Sequence, residues 1–144
     1  MEFLNEMNKS TTTNPTSHPD NFGCDFYCTC APYHVNGHNA VDFWPKPSGF
    51  EEEPIYAAIN GRVQVWESTR GGKSLSITSM CGNIVVTYLH LEEIHIENNQ
   101  LIIAGFEIGI MGNTGTDSTG IHLHFTVREN GILVDPINFF KRRI

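Results

Sequence analysis

No apolar run in this chain is long enough to cross a bilayer, and a membrane span built from one long helix is therefore not expected. The start, Met1-Glu2-Phe3-Leu4-Asn5-Glu6, lacks the basic stretch followed by an apolar one that marks an export signal. Basic residues are scarce. Nine Lys and Arg face sixteen Asp and Glu, a net charge of −7, which excludes a surface built to grip nucleic-acid phosphates. Long amphipathic helical patterns are also missing. Thirteen glycines and seven prolines are spread along the chain instead, with turn signals every 8–12 residues, and this spacing indicates an all-β domain of many short strands with little helix.

At 144 residues with 40% hydrophobic content, the chain suits one domain with a real core. Residues 1–21 are rich in Ser, Thr, Asn and Pro without periodicity, and read as a flexible arm or linker ahead of a domain over 22–144. Four cysteines are present, three of them within Cys24-Asp25-Phe26-Tyr27-Cys28-Thr29-Cys30. A bridge between Cys28 and Cys30 would be badly strained, so Cys81 is expected to pair into the cluster. The rival is a structural zinc site with sulfur ligands, although the spacing follows no familiar zinc pattern.

Strand signals begin near Ala40, with Val41 and Phe43 alternating with Asp42. They recur at 55–58, 63–68, 74–79, 83–91, 101–103 and 108–110. Glu51-Glu52-Glu53 reads as a solvated loop, and 92–100 as a connection. Asn130-Gly131 reads as a hairpin turn, and 135–140 as a closing helical turn.

The stretch that organises the rest is Gly120-Ile121-His122-Leu123-His124-Phe125. Alternation on a strand places His122 and His124 on one face, with Leu123 and Phe125 on the other. Imidazoles about 7 Å apart along a strand can converge on one metal ion and its water, or can simply be an exposed face. Two further elements carry similar chemistry: His38-x-x-x-Asp42, and Tyr88-Leu89-His90-Leu91 with His90 beside aliphatic neighbours. His18, His34 and His95 read as loop or surface histidines, His34 also as a residue able to line a groove. Tyr33 and Tyr88 could offer a phenol to an oxyanion or could pack in the core.

These three motifs, in this order, resemble those of the lysostaphin/LytM-type zinc metallopeptidases, the glycyl-glycine endopeptidase family. The loop from Gly112 to Gly120 resembles that family's glycine-rich approach to its H-L-H-F strand, and the likeness covers 37–140. It implies an antiparallel, sandwich-like β domain of the LytM type (the duplicated hybrid motif). It implies that His38, Asp42 and His124 bind Zn²⁺ and that His90 and His122 are catalytic. Three protein ligands with an open fourth position are the mark of a catalytic zinc site, where bound water can become a nucleophile. The implied substrate is the stem-peptide or cross-bridge bonds of bacterial peptidoglycan, cut by a monomer that is extracellular, periplasmic, wall-associated or phage-encoded. Alternatives are a catalytically silent, zinc-stabilised binding or regulatory module, and a hydrolase carried on a phage particle.

The chain departs from the family pattern at Asn39, at a longer segment after Asp42, at an extra residue before Gly120, at Ile121, and in its cysteine cluster. None of these removes a ligand; the altered loops reshape the groove wall.

Overall fold

The structure, a computed structural model, describes residues 7, 11–17, 19–20, 22–24, 39–45 and 52–143. Eleven strands are described: β1 (Phe22–Cys24), β2 (Val41–Phe43), β3 (Pro54–Tyr56), β4 (Gly61–Ser68), β5 (Gly72–Thr78), β6 (Ile84–Leu91), β7 (Glu93–Ile94), β8 (Leu101–Ile102), β9 (Glu107–Ile110), β10 (Leu123–Glu129) and β11 (Ile132–Val134). One helix, α1 (Pro136–Lys141), follows. Strand pairing is antiparallel throughout, as expected for the LytM type.

The larger sheet has eight strands in the order β1-β2-β10-β6-β5-β4-β8, with β11 also on β10; β3, β9 and β7 form a smaller sheet. β10 is the hinge of the arrangement. It pairs with β2 through His124 opposite Asp42, and with β6 through His124 opposite Leu89. Elements separated by more than eighty residues in sequence thus meet at one strand.

Alternation makes the core. Val86 and Tyr88 of β6 and Leu123, Phe125 and Val127 of β10 are fully buried, and their strand neighbours are partly open. Phe125 sits at the centre of an aromatic cluster, edge-on to Phe43 and Tyr88 with centroids 6.1 and 5.1 Å away, and stacked on Phe140 at 5.9 Å. Burying each such ring contributes roughly 1.5–3 kcal/mol. α1 closes this end. Asp135 caps it by accepting a hydrogen bond from the Ile137 N–H, Pro136 opens it at a position that needs no donor, and Phe139 and Phe140 are its buried face.

The Asn130-Gly131 turn joins β10 to β11 with positive φ at both residues, as a type I′ hairpin requires. The connection expected over 92–100 holds a two-residue strand, β7, which pairs with β9. Within the stretch read as an arm, Thr12 and Thr16 bridge to Ile59 and Ile55, and the Tyr56 N–H donates to the Pro15 carbonyl.

Two expectations are corrected. The acidic run is not uniformly solvated: Glu52 is exposed, but Glu53 is buried where β3 begins to pair with β9, and its carbonyl accepts the Met111 N–H. Cys81 is a free, exposed thiol and not half of a disulfide. Topology explains this for Cys24. Cys24 lies beside Asp42, at the end of the sheet where His124 faces Leu89, whereas Cys81 sits on the turn before Ile84, which faces Glu129. Five residues of strand separate these two ends, roughly 17 Å, and a disulfide tolerates a Cα separation of at most about 7 Å. Cys28 and Cys30 lie outside the described residues.

Candidate functional site

At the end of the sheet where β2, β10 and β6 come together, four of the five residues singled out in the sequence meet: Asp42, His90, His122 and His124. The fifth, His38, lies outside the described residues, as do His18, Tyr33 and His34.

Asp42 and His124 are cross-strand partners, and His124 Nδ1 lies 3.1 Å from Asp42 Oδ1. His122 directs Nε2 toward the same oxygen, at 3.9 Å. The ring of His90 lies against His122 and His124, with centroids 4.9 Å and 5.9 Å away. Asp42, His90 and His122 are buried, and His124 is partly open. The alternation that sends Leu123 and Phe125 inward thus presents both histidine rings to His90.

His90 is held in an uncommon way. Its backbone is left-handed, with φ 69°, a conformation that costs a residue with a Cβ on the order of 1–2 kcal/mol. Its N–H donates to the Gly71 carbonyl, and its ring Nδ1 lies 2.8 Å from the carbonyl oxygen of Thr114. A carbonyl oxygen can only accept. Nδ1 of His90 therefore carries the proton, and in the neutral ring the lone pair is on Nε2. Burial is the main influence that lowers the His90 pKa; the Thr114 carbonyl works the other way, and His122 and His124 add to the lowering. The ring is kept neutral below the usual histidine range.

His122 repeats the pattern. It bridges to Gly112 just before β10, and its Nδ1 lies 2.8 Å from the Gly120 carbonyl oxygen. Its Nε2 lone pair therefore faces Asp42. Trp44, half-exposed, lies beside it with ring centroids 6.1 Å apart.

The carbonyls that orient these rings both come from the glycine-rich loop 112–120. That loop is pinned to the β4–β5 turn. Thr114 Oγ1 donates to the Leu91 carbonyl and accepts the Lys73 N–H, and the Thr116 and Asp117 N–H groups donate to Thr69 and Arg70 carbonyls. Gly115, at φ 87°, makes this approach possible: a Cβ there would stand 2.3 Å from the Arg70 carbonyl oxygen.

The sequence marks the loop as an approach to the histidines but gives no sign of the contacts made by Thr114, Gly120 and Trp44. The loop's glycines were the only local signal. Tyr88 does not face the site. It is fully buried, its hydroxyl accepts the Ala58 N–H and donates to the Tyr56 carbonyl, and burial pushes its phenol far above the usual tyrosine range. His95 is on the surface, as expected, between Glu93 and Glu107.

The donor set suits zinc. Two ligands in a tetrahedral zinc site, each about 2.0–2.2 Å from the metal, stand roughly 3.3 Å apart, close to the separation of Asp42 Oδ1 and His124 Nδ1. Among the described residues no three His, Cys, Asp or Glu side chains complete a metal site, so a third protein ligand would come from outside them, where His38 lies. Among the described residues, too, no helix is long and apolar enough to cross a membrane.

Comparison with known proteins agrees with this architecture. The lipoprotein NlpD of Yersinia enterocolitica is 32% identical over 97 residues, covering 67% of this chain and 98% of that one. The murein hydrolase activator NlpD of Escherichia coli (strain K12) is 31% identical over 108 residues, covering 74% of this chain but only 27% of that protein. Among solved structures, the catalytic domain of the antimicrobial peptidase lysostaphin from Staphylococcus simulans superposes with a TM-score of 0.71 at 26% identity, over 83% of this chain and 91% of that domain. The model of peptidase family M23 matches residues 36–136, a span that holds all three histidine motifs and every strand from β2 to β11, and the chain belongs to that family.

Proposed function

We propose that this chain is a zinc-dependent endopeptidase that hydrolyses peptide bonds in the stem peptides or cross-bridges of bacterial peptidoglycan. The observation that carries this reading is the convergence of His90 and His122, both with Nε2 lone pairs free to take a proton, beside the Asp42–His124 pair. A structural metal site has no use for two such bases. In this reading His38, Asp42 and His124 hold the zinc, and His90 and His122 are catalytic.

When bound, the metal supplies Lewis acidity: it makes a water more acidic and polarises a carbonyl. The protein's own groups do the rest. Nε2 of one histidine accepts the proton of the attacking water. Protonated, either ring can donate to the developing oxyanion or to the leaving amine. The backbone carbonyls of Thr114 and Gly120 hold both rings in the required tautomer. Trp44 and the exposed Ile121 flank His122 and suit the wall of a groove for an extended peptide. The protein works at the cell wall, in the periplasm or outside the cell, as a monomer.

The test is mass-spectrometric analysis of products from purified peptidoglycans of several bacterial types, with and without a chelator. Peptide release that needs zinc and is lost in His122→Ala supports the reading. Intact walls with zinc-loaded protein would sink it.

A second reading rests on the murein hydrolase activator NlpD of Escherichia coli, which is 31% identical over 108 residues. In it the chain carries the M23 fold as a regulatory module and stimulates a separate wall hydrolase. Product release only when such a hydrolase is added would select it.

A further inference from the structure

We propose that Ser118, oriented by Asn113, is a positioning residue that holds His122 in the Nδ1–H tautomer, with the Nε2 lone pair turned to Asp42. The proposal rests on the reading of His122 as a catalytic base, but the tautomer itself can be observed without any activity.

Ser118 is partly buried in the loop ahead of β10. Its Oγ lies 2.5 Å from Asn113 Oδ1, 3.0 Å from the Gly120 carbonyl oxygen and 3.3 Å from His122 Nδ1. A serine hydroxyl has one proton and two lone pairs. Both nearby carbonyl oxygens can only accept, so the proton goes to one of them. The Asn113 contact is the shortest, and its length suits O–H···O rather than N–H···O. The hydroxyl is then left with its lone pairs toward the imidazole.

His122 Nδ1 therefore faces two acceptors, the Gly120 carbonyl at 2.8 Å and Ser118 Oγ at 3.3 Å, and one N–H can be shared between them. In the opposite tautomer the Nδ1 lone pair would face the carbonyl's lone pairs, and Ser118 would have to withdraw its one proton from Asn113 to supply it. The network thus disfavours a proton on Nε2, the atom that lies 3.9 Å from Asp42. His90 has a single carbonyl partner for the same purpose, at Thr114. The second acceptor is particular to His122, whose carbonyl partner belongs to a residue only two positions away on an exposed loop.

The experiment uses the full chain without metal, labelled with ¹⁵N-histidine, in long-range ¹H–¹⁵N correlation spectra at mildly alkaline pH. Wild type should show His122 as Nδ1–H. Ser118→Ala should show a mixture with Nε2–H, Ser118→Thr should restore the wild-type pattern, and Asn113→Ala should shift the mixture in the same direction by less. On zinc-loaded protein acting on purified peptidoglycan, kcat for Ser118→Ala should fall about 10-fold, as is typical when a partner that orients a site histidine is lost. KM and zinc content should stay unchanged, and Thr119→Ala should match wild type. A purely Nδ1–H ring in both Ser118→Ala and Asn113→Ala overturns the proposal. A changed tautomer in a protein whose wild type cuts no wall preserves it and removes the endopeptidase reading instead.

Discussion

His90 Nδ1 lies 2.8 Å from the carbonyl oxygen of Thr114, which follows it by 24 residues. The direction of this ring is thus set by a separate loop and not by the strand that carries it. Loop 112–120 is part of the site although it contributes no imidazole.

Gly115→Ala should test that dependence. Its φ of 87° strains any residue with a Cβ, and the methyl would meet the Arg70 carbonyl. The loop must then lift and carry the Thr114 carbonyl away from His90. We expect a loss of about 1–2 kcal/mol in denaturant melts from the left-handed backbone alone, with a fall in kcat larger than this modest loss of stability would explain.

Zinc should stabilise the folded protein, since a site built across β2 and β10 does not exist in the unfolded chain. At a hundredfold excess over Kd the gain is about 2.7 kcal/mol, visible as a rise in Tm that a chelator reverses. Asp42→Ala and His124→Ala should abolish the rise, with bound zinc measured by elemental analysis. A rise that persists in both variants would place the metal elsewhere.

Alkaline pH should weaken the fold through Tyr88. Burial raises its folded-state pKa above that of the unfolded chain, so the contribution of the neutral phenol is whole below about pH 10 and declines as pH climbs beyond it. Tyr88→Phe should lose roughly 1–3 kcal/mol at neutral pH, because the Ala58 N–H and Tyr56 carbonyl lose a buried partner. Its stability should then vary less with pH above 10 than that of wild type. Thermal melts across the alkaline range compare the two.

Trp44→Ala should weaken substrate binding. The ring flanks His122 and is half-exposed, a placement that suits stacking on an extended peptide. An aromatic contact of about 0.5–1.5 kcal/mol corresponds to a rise of roughly 2- to 10-fold in KM. An unchanged KM on muropeptides would place the peptide on another wall.

Much of this was legible in the sequence. Val41-Asp42-Phe43 and Leu123-His124-Phe125 alternate cleanly, so strand, core face and open face follow from period two. Tyr88 shows where that reasoning stops. Its aromatic ring beside a histidine fits a site or a core equally well, and only the Tyr56 and Ala58 backbone partners of its hydroxyl decide for the core. The left-handed φ of His90 had no local cue, because it is imposed by the Gly71 and Thr114 contacts made across the fold. The Cys81 expectation failed because residue spacing carries no information on which end of a sheet a turn occupies. Ser118 and Asn113 were hidden among ordinary loop residues, since a hydrogen-bond chain has no signature in sequence.

β10 and the residue before it sort their side chains by parity: His122 and His124 line the candidate site, and Leu123, Phe125 and Val127 fill the close-packed interior. One inserted or deleted residue between 122 and 127 would exchange the two sets and ruin both at once. Lineages of this protein should therefore keep the spacing from His122 to Val127 fixed.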